Sequence, residues 1–213
     1  MDTLTLVRFV GKPLIFLACL VPFALVVGDA FDLTGSLGAN PVEEILDRFG
    51  NWGLRLIVIT LAITPLRRVT GWNWLTRFRR MLGLFTFFYV FMHFLTWLIL
   101  DQGVLVSAIL EDIVERPFIT IGFVALLLLT ALAVTSTNGM RRRLGRRWQH
   151  LHYAVYPIAI LGVWHYWWQV KKDITEPLIY AALVAVLLGA RLVTFRRRHR
   201  TPRQAASVAR ARS

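Results

Sequence analysis

Six apolar runs, at 13–28, 52–66, 81–100, 118–136, 145–168 and 178–195, constrain this chain more than any other feature. A helix needs about 20 residues to cross a hydrocarbon core about 30 Å thick, and the runs approach or reach that length. Hydrophobic residues make up 56% of the 213-residue sequence, above the roughly 45–50% usual for soluble domains. Lipid is therefore the expected solvent. A bilayer offers the backbone no hydrogen-bond partners, so each run is predicted to be a helix. The fold class that follows is an all-α integral membrane bundle of six transmembrane helices.

Charge orients the bundle. Twenty of the 25 Lys and Arg residues fall at the N-terminus, in the 67–80 and 141–147 connections, or from Arg191 onward, while eleven of the twelve acids lie in the alternate connections. The positive-inside rule places both termini in the cytoplasm. The net charge of +13 is thus a topology signal, and no nucleic-acid partner is expected. Trp52, Trp97, Trp148, Trp167 and Trp168 fall near the predicted interfaces, where an aromatic belt forms. Residues 1–195 form the predicted bundle. The basic stretch 196–213 lacks apolar periodicity and is read as a disordered cytoplasmic tail touching anionic lipid.

Arg8 and Lys12 precede the first run, which reads as a retained helix rather than a signal peptide because it is long and its cleavage motif is poor. Within the acidic segment 29–51, Asn40, Pro41 and Glu43 match a helix cap, a first-turn proline and a capping-box acid. A short interfacial helix ahead of the second span is predicted. Cys19 is the only cysteine, so one chain can form neither a disulfide nor a Cys-ligated zinc or iron–sulfur centre.

Histidine in hydrocarbon needs a reason, since an intramembrane imidazole marks a ligand, a proton relay or a buried hydrogen bond. His93 lies in the third run, and His150, His152 and His165 lie in the fifth. The third and fifth spans both start in the cytoplasm and so run parallel. At about 1.5 Å per residue, His93 lies roughly 20 Å and His165 roughly 27 Å from the basic ends of their spans, which makes them the favoured axial pair. His152 lies only about 8 Å in by the same rise and suggests a second site, although a His93 to His152 pairing stays open. On an ideal helix His150 is closer in phase to His165 than His152 is, but Pro157 can kink the helix, so spacing does not choose between them.

Zinc commonly takes four N, S or O ligands, and the predicted spans hold no carboxylate and one cysteine. Bis-imidazole haem needs two neutral imidazoles across an apolar slot. Structural histidines bonding between helices are the competing reading. Arg79, Arg80, Arg146 and Arg147 carry the right chemistry for propionates or phosphates, though topology accounts for most of this charge.

The segments ITPLRR (63–68), RRMLGLFTFFYVFMHF (79–94), RPFITIGF (116–123) and TSTNGMRRRLGRRWQHLHYAVYPIAILGVWHYWW (135–168) together resemble the MsrQ (YedZ) family. This is a group of haem-binding membrane subunits within the ferric-reductase-like transmembrane proteins. The resemblance implies a bundle in the bacterial inner membrane holding one or two b-type haems, with His93, His152 and His165 as ligands to haem iron. It also implies FMN, for which no motif assigns contacts. Electrons would pass from the quinol pool or a cytoplasmic flavin reductase to a periplasmic molybdenum reductase, MsrP, which repairs methionine sulfoxide. The chain would then be an electron-transfer subunit whose partner holds the methionine chemistry. Two other classes are a multi-pass transporter and a haem-free membrane anchor. A transporter is disfavoured by the absence of an evident internal repeat and of acids within the runs. Segments 40–49 and 109–116 are the expected docking surface.

Overall fold

The computed structural model describes residues 3–170 and 173–210, with side chains up to 193. All regular structure among the described residues is helical. Five segments have the length and apolarity to cross a bilayer: Thr3–Ala30, Pro41–Thr70, Arg79–Asp101, Pro117–Val134 and Thr175–Val193.

Helix α1 (Lys12–Ala30) continues from a short helical turn (Thr3–Leu6) and a π-helical turn (Val7–Gly11). Pro22 lies inside α1 and has no N–H to give to the helical ladder. The next rung is opened by Tyr89. Its hydroxyl accepts from the Phe23 N–H at 3.0 Å and donates to the Cys19 carbonyl at 2.6 Å, standing between two groups that an undisturbed helix would join directly. Tyr89 is fully buried, at 0% exposure, so its ring anchors α1 to the helix that carries it.

Helix α2 (Pro41–Thr70) begins as the sequence predicts: the Glu43 N–H donates to the Asn40 side chain at 3.5 Å, and the Asn40 amide donates to Glu43 at 2.7 Å. The predicted interfacial helix, however, is not separate. No residue between Glu43 and Trp52 stops the helix, so the polar first turns and the second span form one 30-residue element. It ends at Gly71, whose φ of 74° is the left-handed cap that glycine adopts without strain.

Helix α3 (Arg79–Thr96) runs on through a π-helical turn (Trp97–Asp101). The acidic connection after it contains α4 (Val106–Glu115), which presents Val106, Leu110 and Val114 outward on one face, as a helix lying on a membrane surface does. Next comes α5 (Pro117–Val134), followed by two short basic helices, α6 (Asn138–Leu144) and α7 (Arg146–His152), with Gly145 between them at φ 51°.

The predicted fifth span is broken. Helix α8 (Val155–Gln169) starts after a turn at Tyr153 and Ala154 and has only 15 residues. Pro157 lies in its first turn and offers no N–H to the Tyr153 carbonyl, so the ladder cannot pass unbroken from α7. The last helix, α9 (Thr175–Arg210), runs past the predicted end of the sixth span. Residues 211–213 of the predicted tail lie outside the described residues, as do all its side chains.

Two buried clusters hold the bundle. One joins α1, α2 and α3 through Val26, Leu56, Phe85 and Tyr89; the other joins α2, α5, α8 and α9 through Ile57, Leu129, Ala159 and Val184. Large apolar side chains such as Phe9, Leu127 and Val186 point outward, which water would penalise and lipid does not.

Candidate functional site

Helices α2, α3, α5 and α8 surround a cavity of about 980 Å³, at the upper end of the roughly 300–1,000 Å³ of ligand pockets. It runs from an acidic mouth with Glu43, Asp47, Asp101 and Asp173 to an apolar floor with Ile57, Leu129 and Ile158. At the mouth, the Thr175 hydroxyl and backbone N–H hold the Asp173 carboxyl below its usual range, keeping it ionised.

His93 on α3 and His165 on α8 face each other across this cavity. Their ring centroids are 6.1 Å apart and their planes cross at 86°. Each ring is fixed from behind in the same way: His93 Nδ1–H donates to the Leu46 carbonyl at 2.9 Å, and His165 Nδ1–H donates to the Phe118 carbonyl at 2.7 Å. A carbonyl can only accept, so in both rings Nδ1 carries the proton and Nε2 keeps its lone pair. The break before α8 also explains how the two depths converge. The rise counted from Arg147 to His165 assumed one unbroken helix, and the turn at 153–154 shortens it.

A metal ion binds an imidazole nitrogen at about 2 Å, so two rings this close could both reach one ion. The observed 6.1 Å fits a shared metal ion. No cluster of three or more His, Cys, Asp or Glu that could hold a metal occurs among the described residues, so the donor set suits a metal whose other positions are filled by its own macrocycle. The apolar walls around the pair agree with that.

The remaining histidines separate cleanly. His150 is exposed and packs edge-on to Tyr153 at 6.0 Å. His152 stacks on Trp148 at 3.8 Å, its Nδ1–H donates to the Trp148 carbonyl at 3.0 Å, and its buried Nε2 has no hydrogen-bond partner. It does not line the cavity. His199 lies among the residues whose side chains are not described. Of the arginines singled out in the sequence, Arg80 donates to Asn138 at 2.7 Å and Arg79 is half-buried, while Arg146 and Arg147 are exposed.

Sequence reasoning missed two kinds of residue. Arg191, counted in the sequence only among the basic residues of the C-terminal side, lies over the Tyr156 ring at 4.9 Å and donates to Thr64 at 3.4 Å. Gly50 and Gly122 lie directly against the two ligand-like rings: a Cβ at Gly50 would meet His93 Nδ1 at 3.1 Å, and one at Gly122 would meet His165 Cε1 and Nδ1 at 2.9 Å. The equal spacing of glycine and histidine in the two halves is recognisable only once the neighbours of the two rings are known.

Residues 49–163 match the family described as ferric reductase like transmembrane component. Among curated relatives, a protein of Herminiimonas arsenicoxydans is 53% identical, covering 85% of this chain and 84% of its own length. A protein of Ralstonia nicotianae is also 53% identical, over 84% and 82%, and one of Xanthomonas axonopodis pv. citri is 51% identical, over 85% of both. All three are named protein-methionine-sulfoxide reductase heme-binding subunit MsrQ. The chain belongs to the MsrQ family. As an MsrQ-family member with several helices fit to cross a bilayer, it is a multi-pass membrane protein. The family match takes in α3 and most of α8, but its described end at 163 falls just short of His165. The ring pair therefore rests on geometry.

Proposed function

We propose that this protein carries electrons across the bacterial inner membrane through b-type haem held between His93 and His165. The single observation supporting this is the pair of imidazoles with centroids 6.1 Å apart, each tethered through Nδ1–H to a backbone carbonyl so that Nε2 keeps its lone pair. The names of the relatives, which specify a heme-binding subunit of a methionine-sulfoxide reductase, agree with it. Haem, when bound, supplies one-electron storage at its iron. The chain does the rest: two imidazoles ligate, two backbone carbonyls hold their orientation and increase their basicity, and the apolar walls exclude water.

In the proposed topology α7 and α8 together make the fifth of six spans, both termini are cytoplasmic, and residues 1–195 form the membrane domain. Electrons enter from quinol or a cytoplasmic flavin reductase and leave at the acidic mouth to a periplasmic MsrP-type molybdenum reductase. The FMN that the resemblance implies is left as an expectation from the family. His152, with its buried and unpartnered Nε2, is the proposed ligand of a second haem nearer the cytoplasm.

A reduced-minus-oxidised spectrum tests the reading. The purified protein is expected to show a low-spin b-type spectrum that is lost in both His93→Ala and His165→Ala; an intact spectrum in either variant excludes the pairing. Haem quantification on His152→Ala tests the second site. Loss of about half of the wild-type haem supports it, and unchanged stoichiometry excludes it. A colourless wild-type protein that still binds its reductase would instead identify a haem-free anchor.

A further inference from the structure

The cavity is built twice. Leu46, Gly50 and His93 stand 72 positions before Phe118, Gly122 and His165. The same offset relates Leu54 to Leu126, Val90 to Gly162 and, at the mouth, Asp101 to Asp173, all of them lining residues. The packing follows the same rule. Helix α2 packs on α3 and α8, and its counterpart α5 packs on α8 and α3. This is what a two-fold axis along the membrane normal generates from two parallel helical hairpins. This offset overturns the expectation that the chain has no evident internal repeat. The two halves share few side-chain identities, and the offset is visible only once the lining residues are known.

In each half the three parts keep one spacing: a backbone carbonyl, a glycine four residues later, and a histidine 47 residues after the carbonyl. Each imidazole occupies the space where a Cβ on that glycine would project. Resting on the haem reading above, we infer that Gly50 and Gly122 are paired positioning residues. The missing Cβ lets each ring lie against the neighbouring helix, so that its Nδ1–H reaches the carbonyl one turn earlier. The plane of each ring is thereby set, and with it the 86° angle between them. Either alanine pushes its ring away from the carbonyl. The contact is tighter at Gly122, 2.9 Å against 3.1 Å, so the larger effect belongs there.

A packing role for these glycines would change stability but leave the iron's electronic structure alone. The test is therefore electron paramagnetic resonance of the ferric protein, with redox titration, on wild type, Gly50→Ala and Gly122→Ala. Gly83→Ala and Gly189→Ala serve as controls, because a Cβ at either meets nothing within 4 Å. Near-perpendicular imidazoles are expected to give the wild type a highly anisotropic low-spin signal. Both test variants should shift that signal and the midpoint potential, or lose haem while keeping helical content, and the controls should match wild type. Unmoved signal and potential in Gly50→Ala and Gly122→Ala overturn the inference. A wild-type signal typical of parallel rings overturns it without any variant, which covers the case in which a variant fails to accumulate. The haem reading fails separately, by a wild type without haem or by His93→Ala and His165→Ala that keep their spectra.

Discussion

Tyr89 shows how much one polar atom does in this fold. Its hydroxyl fills the gap beside Pro22, satisfying the Phe23 N–H and the Cys19 carbonyl together. Tyr89→Phe removes both bonds and leaves two backbone groups unmet in an apolar setting. A buried group left unsatisfied costs about 1–3 kcal/mol. The variant is expected to unfold at lower temperature in detergent and to exchange the Phe23 amide faster, which calorimetry and hydrogen exchange read directly. Residues of this kind differ in how visible they are in a sequence. His93 and His165 could be found because imidazole is costly in hydrocarbon and demands an explanation. The hydroxyl bridge could not, since tyrosine in a membrane span is ordinary and its partners are backbone atoms 66 and 70 residues away. Glycine leaves still less trace: Gly50 and Gly122 matter through the atom they lack.

At the scale of elements, close approach governs the pairing of α2 with α3. A Cβ at Gly53 would come within 2.7 Å of Val90 Cγ2, closer than carbon atoms can approach without displacement. Gly53→Ala is expected to destabilise the bundle by about 1–3 kcal/mol, the usual cost of overpacking. Val90→Ala in the same chain should recover most of it. A double-mutant cycle on thermal unfolding measures that coupling, and additive losses would show that the contact is not responsible. Apolar length and charge were enough to place most spans, and the Asn40 to Glu43 cap was legible residue by residue. Continuity was harder. The polar turns of α2 looked separate because composition changes at Trp52, yet hydrogen bonding does not stop there. The fifth span looked continuous because its composition is uniform, yet Pro157 leaves a ladder position open and the turn at Tyr153 breaks it.

For the whole molecule, the sorting of charge bears on where the proposed reductase partner would dock. The mouth carries Glu43, Asp47, Asp101 and Asp173, with Arg116 as the only described cation lining the cavity. Opposite charge raises association rates and makes them sensitive to salt, so the reductase surface that docks here is expected to be basic. Reversing Glu43 and Asp173 to Lys should slow electron delivery to the reductase several-fold at low ionic strength, with the difference shrinking as salt is added, while the haem spectrum stays unchanged. Stopped-flow reoxidation across a salt series reads this; a salt-independent rate in both proteins would remove the electrostatic docking surface.

The two-fold arrangement of the cavity also says something about the smallest object that can do this work. One hairpin supplies an imidazole, the carbonyl that holds its Nδ1–H and the glycine gap that admits the ring, and lacks only a second imidazole across the cavity. Two copies of a single hairpin, side by side, contain every group the metal would touch. The present chain carries both hairpins in one polypeptide, so equivalent positions of the site can differ: Trp97 stands where the other half has Gln169, and Phe94 where it has Tyr166. Two identical hairpins would present the same face to every partner; two different ones need not.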